Sequence, residues 1–143
     1  MLEPRIALIT VLTGDMPAMR AFYEDVLGFR VKTDMDQYVE FESDGVRFSV
    51  CHRAIMSAAT EHADYALSPT GQRFELAFPC SGPGGVDDAY RRIIAAGAVP
   101  VKPPADMPWG QRTAFFADPE GNIHELFADL DEVGASEAQG SSQ

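Results

Sequence analysis

The sequence has little cysteine and no stretch suited to a membrane. Its 143 residues include two cysteines, Cys51 and Cys80, which are too few and too far apart for a disulfide scaffold or a cysteine zinc site. We therefore interpret both as buried free thiols. No apolar run approaches the roughly 20 residues of a membrane-spanning helix, and residues 1–5 lack the pattern of a signal peptide. We expect a cytoplasmic protein that does not contact a membrane.

Basic residues are also scarce. The chain has 11 Lys and Arg against 22 Asp and Glu, which gives a formal net charge of −11. Such a surface repels phosphate backbones, so nucleic acid is excluded as an expected partner. Hydrophobic residues make up 45% of the chain, enough for one domain with a sizeable core, although two similar halves are also possible.

The first half of the chain predicts the order βαβββ. Asp15 is suited to cap a helix that has Pro17 in its first turn, and Gly28 is a natural end for that helix. Apolar, β-branched and aromatic segments predict four strands, at residues 6–12, 29–33, 38–41 and 46–52.

The same order begins again after residues 53–71, whose weak periodicity predicts a connecting loop with room for a short helix. Helical spacing of apolar residues predicts a second helix from Val86 to Ile94, ended by Gly97. Strands are predicted at residues 72–78, 98–102, 113–117 and 122–127, with an irregular segment at 103–110 and a turn at 118–121.

The repeat predicts an α+β fold with two modules, at about residues 5–53 and 72–128, in a single domain that covers residues 1–130. Each half would bury one face of its sheet against the other and leave a cup-like cavity. Residues 131–143 are acidic and then rich in Gly, Ser, Ala and Gln, and we predict that they are disordered.

Glu125 stands out in the last predicted hairpin. Side chains alternate along a strand, so Ile123, Glu125 and Phe127 share one face. If that face is inward, an ionised carboxylate there is costly to bury and needs a metal, a cation or hydrogen bonds. Aligning the two turns of the repeat, Asp44-Gly45 and Glu120-Gly121, places Ser49 opposite Glu125.

Two segments carry a resemblance to a known family. Residues 15–29 and residues 118–127 resemble the first helix and the closing hairpin of the vicinal oxygen chelate superfamily. That superfamily includes glyoxalase I, extradiol dioxygenases, fosfomycin resistance enzymes and bleomycin resistance proteins. The resemblance implies paired βαβββ modules that form a cup-shaped mixed sheet, a scaffold that hosts many chemistries.

The resemblance also implies where a metal would bind. In metal-dependent members the ligands come from the first and last strand of each half, and the matching positions here are Leu8, Ser49, Glu75 and Glu125. Leucine cannot bind a divalent ion and serine rarely does, whereas a catalytic metal needs about three protein ligands. We therefore expect no catalytic metal. The alternative is Zn, Ni, Mn or Fe held by Glu75 and Glu125 with a shifted histidine, although His52 and His124 both alternate away from the expected face.

Without a metal, the cavity is predicted to bind a small, flat aromatic molecule, neutral or cationic, as the drug-sequestering and resistance members do. The loop at residues 108–112 resembles a loop at the cavity rim in those members. The predicted ligand-binding residues are aromatic, polar or charged: Trp109, Arg112, Phe41, Ser49, Glu75 and Glu125.

Three alternatives stay open at this point. Trp109 could seal the core, and the two carboxylates could pair with Arg73 or Arg112 as structural ion pairs. The chain could also be an enzyme, a lyase, isomerase, epimerase or dioxygenase, in which Glu75 or Glu125 binds a divalent metal or acts as a general base with a raised pKa. Whether the chain is a binding protein or an enzyme, we expect a homodimer, because a second copy can cover the open sheet edges.

Overall fold

A computed structural model describes residues 1–130 of the chain. The segment predicted to be disordered, residues 131–143, lies outside the described residues. The chain divides into two compact units, Met1–Gly71 and a second that begins at Gln72. Each unit contains one four-stranded mixed sheet and at least one helix, which confirms the predicted α+β class. No helix within residues 1–130 is both long and apolar enough to cross a membrane.

The first unit follows the predicted order. Its strands are β1 (Leu8–Thr13), β2 (Val31–Asp34), β3 (Tyr38–Phe41) and β4 (Arg47–His52). They form a sheet in the order β1-β4-β3-β2, in which β1 runs parallel to β4 and the other pairs are antiparallel.

Helix α1 (Met16–Ala21) lies between β1 and β2 and continues as a π-helical turn, Phe22–Val26. The predicted cap is present, because Asp15 Oδ1 accepts a hydrogen bond from Ala18 N at 3.1 Å. This helix packs on β4.

Four aromatic rings form the core of the first unit, with centroid separations from 5.1 to 6.4 Å. Phe41, which was predicted to bind ligand, belongs to this cluster and is 1% exposed. Whether Phe41 contacts a ligand stays a prediction, although in this structure its ring packs against the other rings of the cluster. The cluster consists of Tyr23, Phe29, Phe41 and Phe48.

The predicted connecting loop contains helix α2 (Arg53–Thr60) and a 3-10 turn, Ala63–Ala66. His52 begins α2 by accepting a hydrogen bond at Nδ1 from Ala54 N at 3.0 Å. This cap occupies one nitrogen of a histidine that had been considered as a shifted metal ligand.

The second unit contains β5 (Ala77–Pro79), α3 (Gly82–Ala95), β6 (Val99–Met107), β7 (Gln111–Ala117) and β8 (Ile123–Asp129). Its sheet has the order β5-β8-β7-β6, with β5 parallel to β8 and the other pairs antiparallel. Helix α3 packs on β6, β7 and β8.

Two strand boundaries in the second unit differ from prediction. The strand predicted at residues 72–78 is limited to Ala77–Pro79, and β6 extends to Met107 through a segment predicted to be irregular. Proline is tolerated in β6 because it is an edge strand, where a missing N–H costs least, and the register shifts between Lys102 and Ala105 accommodate Pro103 and Pro104.

Candidate functional site

The centre of the candidate site is the pair of carboxyl groups of Glu75 and Glu125. Glu125 lies on β8 and is half-buried, whereas Glu75 precedes β5 and is exposed. The pKa of Glu125 is raised, first by burial, then by the negative charge of Glu75 and by a hydrogen bond between the two side chains. The side chain of Glu125 therefore holds a proton more tightly than an isolated glutamate does.

Two faces of the second sheet can be distinguished along β8. His124, Leu126 and Ala128 are buried on the face that α3 covers. Glu125 alternates with them and lies on the opposite face with Ile123, and both are half-buried. The face with Glu125 is therefore not the core of this unit.

The strand register defines what surrounds Glu125 on its own face. In an antiparallel pair, directly opposite residues share a face. Moving along β7 and β8 from the carboxyl pair, the opposing pairs are Phe115 with Glu125, Thr113 with Phe127 and Gln111 with Asp129. We call this side of the sheet, together with the neighbouring Glu75, the carboxylate face: Glu125, Phe115, Phe127, Thr113, Gln111 and Asp129, of which Thr113 is fully buried.

Trp109 lies at the far end of the carboxylate face, just before β7. Its ring is 55% exposed, so the alternative that it seals the core is wrong. Its indole Nε1 donates to Gln111 Oε1 at 3.0 Å, and Gln111 Nε2 donates to Asp129 Oδ1 at 3.2 Å. The indole is therefore an exposed aromatic surface with a fixed polar edge.

Arg112, another predicted ligand-binding residue, lies on the other face. It is opposite Ala128 in the register, whereas Phe115 is opposite Glu125. Its guanidinium binds Asp87 and Asp106, each at 2.9 Å, and these hydrogen bonds raise its pKa. The structure therefore does not bring Arg112 to Glu125, and the alternative that these two residues form an ion pair is contradicted.

Ser49, the predicted counterpart of Glu125, is fully buried in the first unit. Its hydroxyl lies 2.9 Å from Thr10 Oγ1 and forms a hydrogen bond with it. In the strand register Ser49 is opposite Glu40 on β3. Whether Ser49 contacts a ligand stays a prediction.

Sequence reasoning missed Glu40, a carboxylate that is 4% exposed. Arg47 donates to both of its oxygens, at 2.9 and 2.8 Å, and Lys32 Nζ lies 3.9 Å away. The hydrogen bonds from Arg47 lower the pKa of Glu40. The available signal was a glutamate between two apolar residues of a short strand, Val39 and Phe41.

Sequence reasoning also missed a buried polar group beside the site. Asp118, interpreted from the sequence only as a turn residue, is 2% exposed and accepts hydrogen bonds from Glu120 N, Asn122 N and Asn122 Nδ2. Its Oδ2 lies 3.5 Å from His124 Nε2. His124 Nδ1 in turn accepts from Leu76 N at 3.2 Å, next to Glu75.

Comparison with known proteins identifies the family. A family model described as the Glyoxalase/Bleomycin resistance protein/Dioxygenase superfamily matches residues 5–126. The chain belongs to this superfamily. The comparison with curated proteins found no match.

Solved structures of the superfamily share the fold. A glyoxalase/bleomycin resistance protein/dioxygenase from Nocardioides is 31% identical, with a TM-score of 0.80 over 92% of this chain and 87% of that one. A glyoxalase/bleomycin resistance protein/dioxygenase family enzyme from Burkholderia phytofirmans PsJN is 24% identical, with a TM-score of 0.79 over 87% and 98% of the chains. Lactoylglutathione lyase from Agrobacterium tumefaciens is 23% identical, with a TM-score of 0.66 over 87% and 93%.

Whether the chain binds a metal stays a prediction, and the structure shows what the four positions implied by the resemblance offer as ligands. Leu8 has no donor atom, and the Ser49 hydroxyl is bonded to Thr10. Within residues 1–130, no group of three or more His, Cys, Asp and Glu side chains is arranged to hold a metal ion. His124 was considered as a shifted ligand, but it is buried on the face away from Glu125. Two carboxylates are fewer than the about three ligands of a catalytic site.

Proposed function

We propose that this member of the superfamily binds a small aromatic cation on the carboxylate face and uses no catalytic metal. The observation that carries the proposal is the half-buried Glu125 opposite Phe115, with the negative charge of Glu75 near enough to raise the pKa of Glu125. Two carboxylates that are held together repel each other when both are ionised, and a bound cation removes that repulsion. Aromatic rings beside them attract the same cation through their faces.

The length of the carboxylate face indicates the shape of the ligand. Glu125 and Asp129 are four residues apart on β8, a distance of about 13 Å at the usual rise of a strand. Trp109 is held at the Asp129 end through Gln111. We therefore expect an elongated, flat ligand that places its positive charge at Glu75 and Glu125 and an aromatic ring against Trp109. Binding of such a ligand is expected for a protein of the drug-sequestering or resistance type.

Fluorescence of the single tryptophan provides the test. The probes are bleomycin and a planar aromatic cation of ethidium size, compared with a neutral aromatic of the same area. We expect the cations to bind wild-type protein, and Glu125→Gln to weaken them by about 10-fold to 100-fold, since hydrogen bonds to charged groups contribute about 1.5–3 kcal/mol.

A matched control is Asp88→Asn, which removes the same charge from an exposed position on α3. It is expected to leave the affinity within about twofold. Equal affinity of the cation for wild type and Glu125→Gln would contradict the proposal. So would equal binding of the neutral probe and the cation.

A second candidate function is a carboxylate-based enzyme, and the raised pKa of Glu125 favours it. A carboxylate with a raised pKa is a stronger base near neutral pH, which suits proton abstraction in an isomerase, epimerase or lyase reaction. Incubation of a bound ligand in D2O would then exchange a C–H for C–D with wild type but not with Glu125→Gln. No exchange with any ligand that binds would leave binding as the function.

A further inference from the structure

We infer that Gln72 and His124 are positioning residues that hold the segment containing Glu75 against the start of β8, beside Glu125. The inference rests on the proposed function, because it concerns the same carboxyl pair. It adds to the proposed function that Gln72 and His124, which are not part of the carboxyl pair, determine where Glu75 lies. The reason is that the strand ladder does not reach Glu75.

Regular pairing of β5 with β8 begins only at Ala77, which is opposite Glu125. Residues 72–76 precede the strand and are not part of it. One backbone hydrogen bond, from Glu125 N to Leu76 O at 2.9 Å, fixes the segment one residue after Glu75. The position of Glu75 therefore depends on what else holds this segment.

Gln72 provides the first attachment. Its side-chain Nε2 donates to Ile123 O at 2.9 Å, and its Oε1 accepts from Ile123 N at 3.2 Å. The same Nε2 donates to Phe74 O at 2.6 Å. The side-chain amide thus forms the hydrogen bonds of a backbone peptide group and attaches residues 72–76 to the start of β8.

His124 provides the second attachment. Its Nδ1 accepts from Leu76 N at 3.2 Å, so the proton of a neutral imidazole is on Nε2, which faces Asp118 Oδ2 at 3.5 Å. The ring is 1% exposed and has edge-on contacts with Phe78 and Phe116, with centroids 5.8 and 5.9 Å away. It is therefore a fixed acceptor beside a segment without regular structure.

Glu75 lies between these two attachments, three residues after Gln72 and immediately before Leu76. Loss of either attachment is expected to release the Glu75 carboxyl from Glu125 without removing a charge from the site. A general structural role for the same residues would lower stability but would not act through Glu75. A positioning role and a general structural role therefore predict different results for His124→Gln, which keeps a hydrogen-bond acceptor, and His124→Phe, which removes it.

The first measurement is backbone amide exchange by NMR in the protein without ligand. His124→Phe fills the space but has no acceptor, and we expect exchange at Leu76 N and Glu125 N to rise at least about tenfold. His124→Gln retains an acceptor and is expected to restore most of the protection. Ile93→Ala is the control, because Ile93 is 2% exposed in the core of the unit and does not hold the segment.

The second measurement is the affinity for the planar aromatic cation. Gln72→Met is a surface change that removes the amide. It and His124→Phe are each expected to weaken binding about tenfold, and the same loss is expected for Glu75→Gln. When either change is combined with Glu75→Gln, no further loss of affinity is expected, because both changes act through Glu75. His124→Gln and Ile93→Ala are expected to bind within about threefold of wild type.

The outcomes separate this inference from the proposed function. Unchanged exchange at Leu76 in both His124→Phe and Gln72→Met, or effects on affinity that add in full to that of Glu75→Gln, would overturn the positioning role. If wild type does not bind the cation, the proposed function fails, and amide exchange alone still decides whether Gln72 and His124 hold the segment.

Discussion

Glu125 is the residue whose ionised form the fold disfavours. Burial and the neighbouring Glu75 raise its pKa above the ordinary value of 4.5, so the folded state binds this proton more tightly than the unfolded state does. Stability from this group is therefore fully present below pH 4.5 and is lost as the pH rises through the raised pKa.

We predict that Glu125→Gln raises the midpoint of thermal unfolding at pH 8, because the variant has no charge to desolvate. The difference from wild type is expected to shrink on acidification and to vanish below about pH 4, where the glutamate is protonated. Thermal unfolding of both proteins from about pH 3.5 to pH 8 measures this. A variant that is less stable than wild type at pH 8 would contradict the prediction.

Glu40 is expected to behave in the opposite way. Hydrogen bonds from Arg47 lower its pKa, so its stabilising contribution is present above the ordinary pKa and is lost as the pH falls through the lowered value. We predict that Glu40→Gln lowers the unfolding midpoint at pH 7 and that this deficit shrinks on acidification. The control is Glu42→Gln, which removes an exposed carboxylate whose partner Arg30 is 82% exposed and should change little.

At the scale of elements, the turn between β7 and β8 sets the register that places Glu125 opposite Phe115. Gly121 in this turn has a φ of 86°, and a Cβ added to it would meet no other atom within 4 Å, so only the backbone conformation requires glycine there. Asp118 fixes the same turn through hydrogen bonds from Glu120 N and Asn122 N.

We predict that Gly121→Ala destabilises the protein by about 1–2 kcal/mol, the usual cost of a left-handed conformation with a side chain. The control is Gly84→Ala in α3, where the φ is not positive and an added Cβ likewise has open space around it. That change is expected to stabilise by about 0.4–1 kcal/mol. Urea unfolding of both variants distinguishes them, and equal effects would contradict the role of the turn.

Elements with strong local signals could be predicted from the sequence. The capping residue Asp15, the helical spacing in α3 and the turn at residues 118–121 each predicted an element that the structure contains. The short β5 could not be predicted, because residues 72–76 have strand composition but are held by Gln72 and His124 from elsewhere in the unit.

The candidate site was predictable only in part, for a physical reason. Glu125 was singled out by the alternation along its strand and Glu75 by the resemblance, and Glu125 has the raised pKa expected for a candidate general base. The burial of Phe41 and the pairing of Arg112 with Asp87 could not be predicted, because an aromatic or a cation on a strand can face either side and helix packing decides which. Glu40 was missed because its partner Arg47 lies on the neighbouring strand, and the sequence alone does not reveal that pairing.

At the scale of the whole molecule, the expected homodimer stays a prediction. Each unit has a four-stranded sheet with two edge strands of its own, such as β6, where Val99 and Val101 are 53% and 45% exposed. Exposed edges of this kind are commonly covered by a second copy. We predict the mass of two chains in sedimentation at micromolar concentration, and the mass of one chain across that range would contradict it.

The most direct test of a cation-binding carboxylate pair is a competition between the planar aromatic cation and divalent metals. Protein purified without chelator and without a metal-affinity column is titrated with the cation before and after incubation with Ni, Zn, Mn and Fe(II), and Trp109 fluorescence and bound metal are measured together. We predict one cation per chain with an affinity that the metals leave unchanged and that Glu125→Gln weakens. Stoichiometric metal that blocks the cation and that Glu125→Gln abolishes would contradict the proposal.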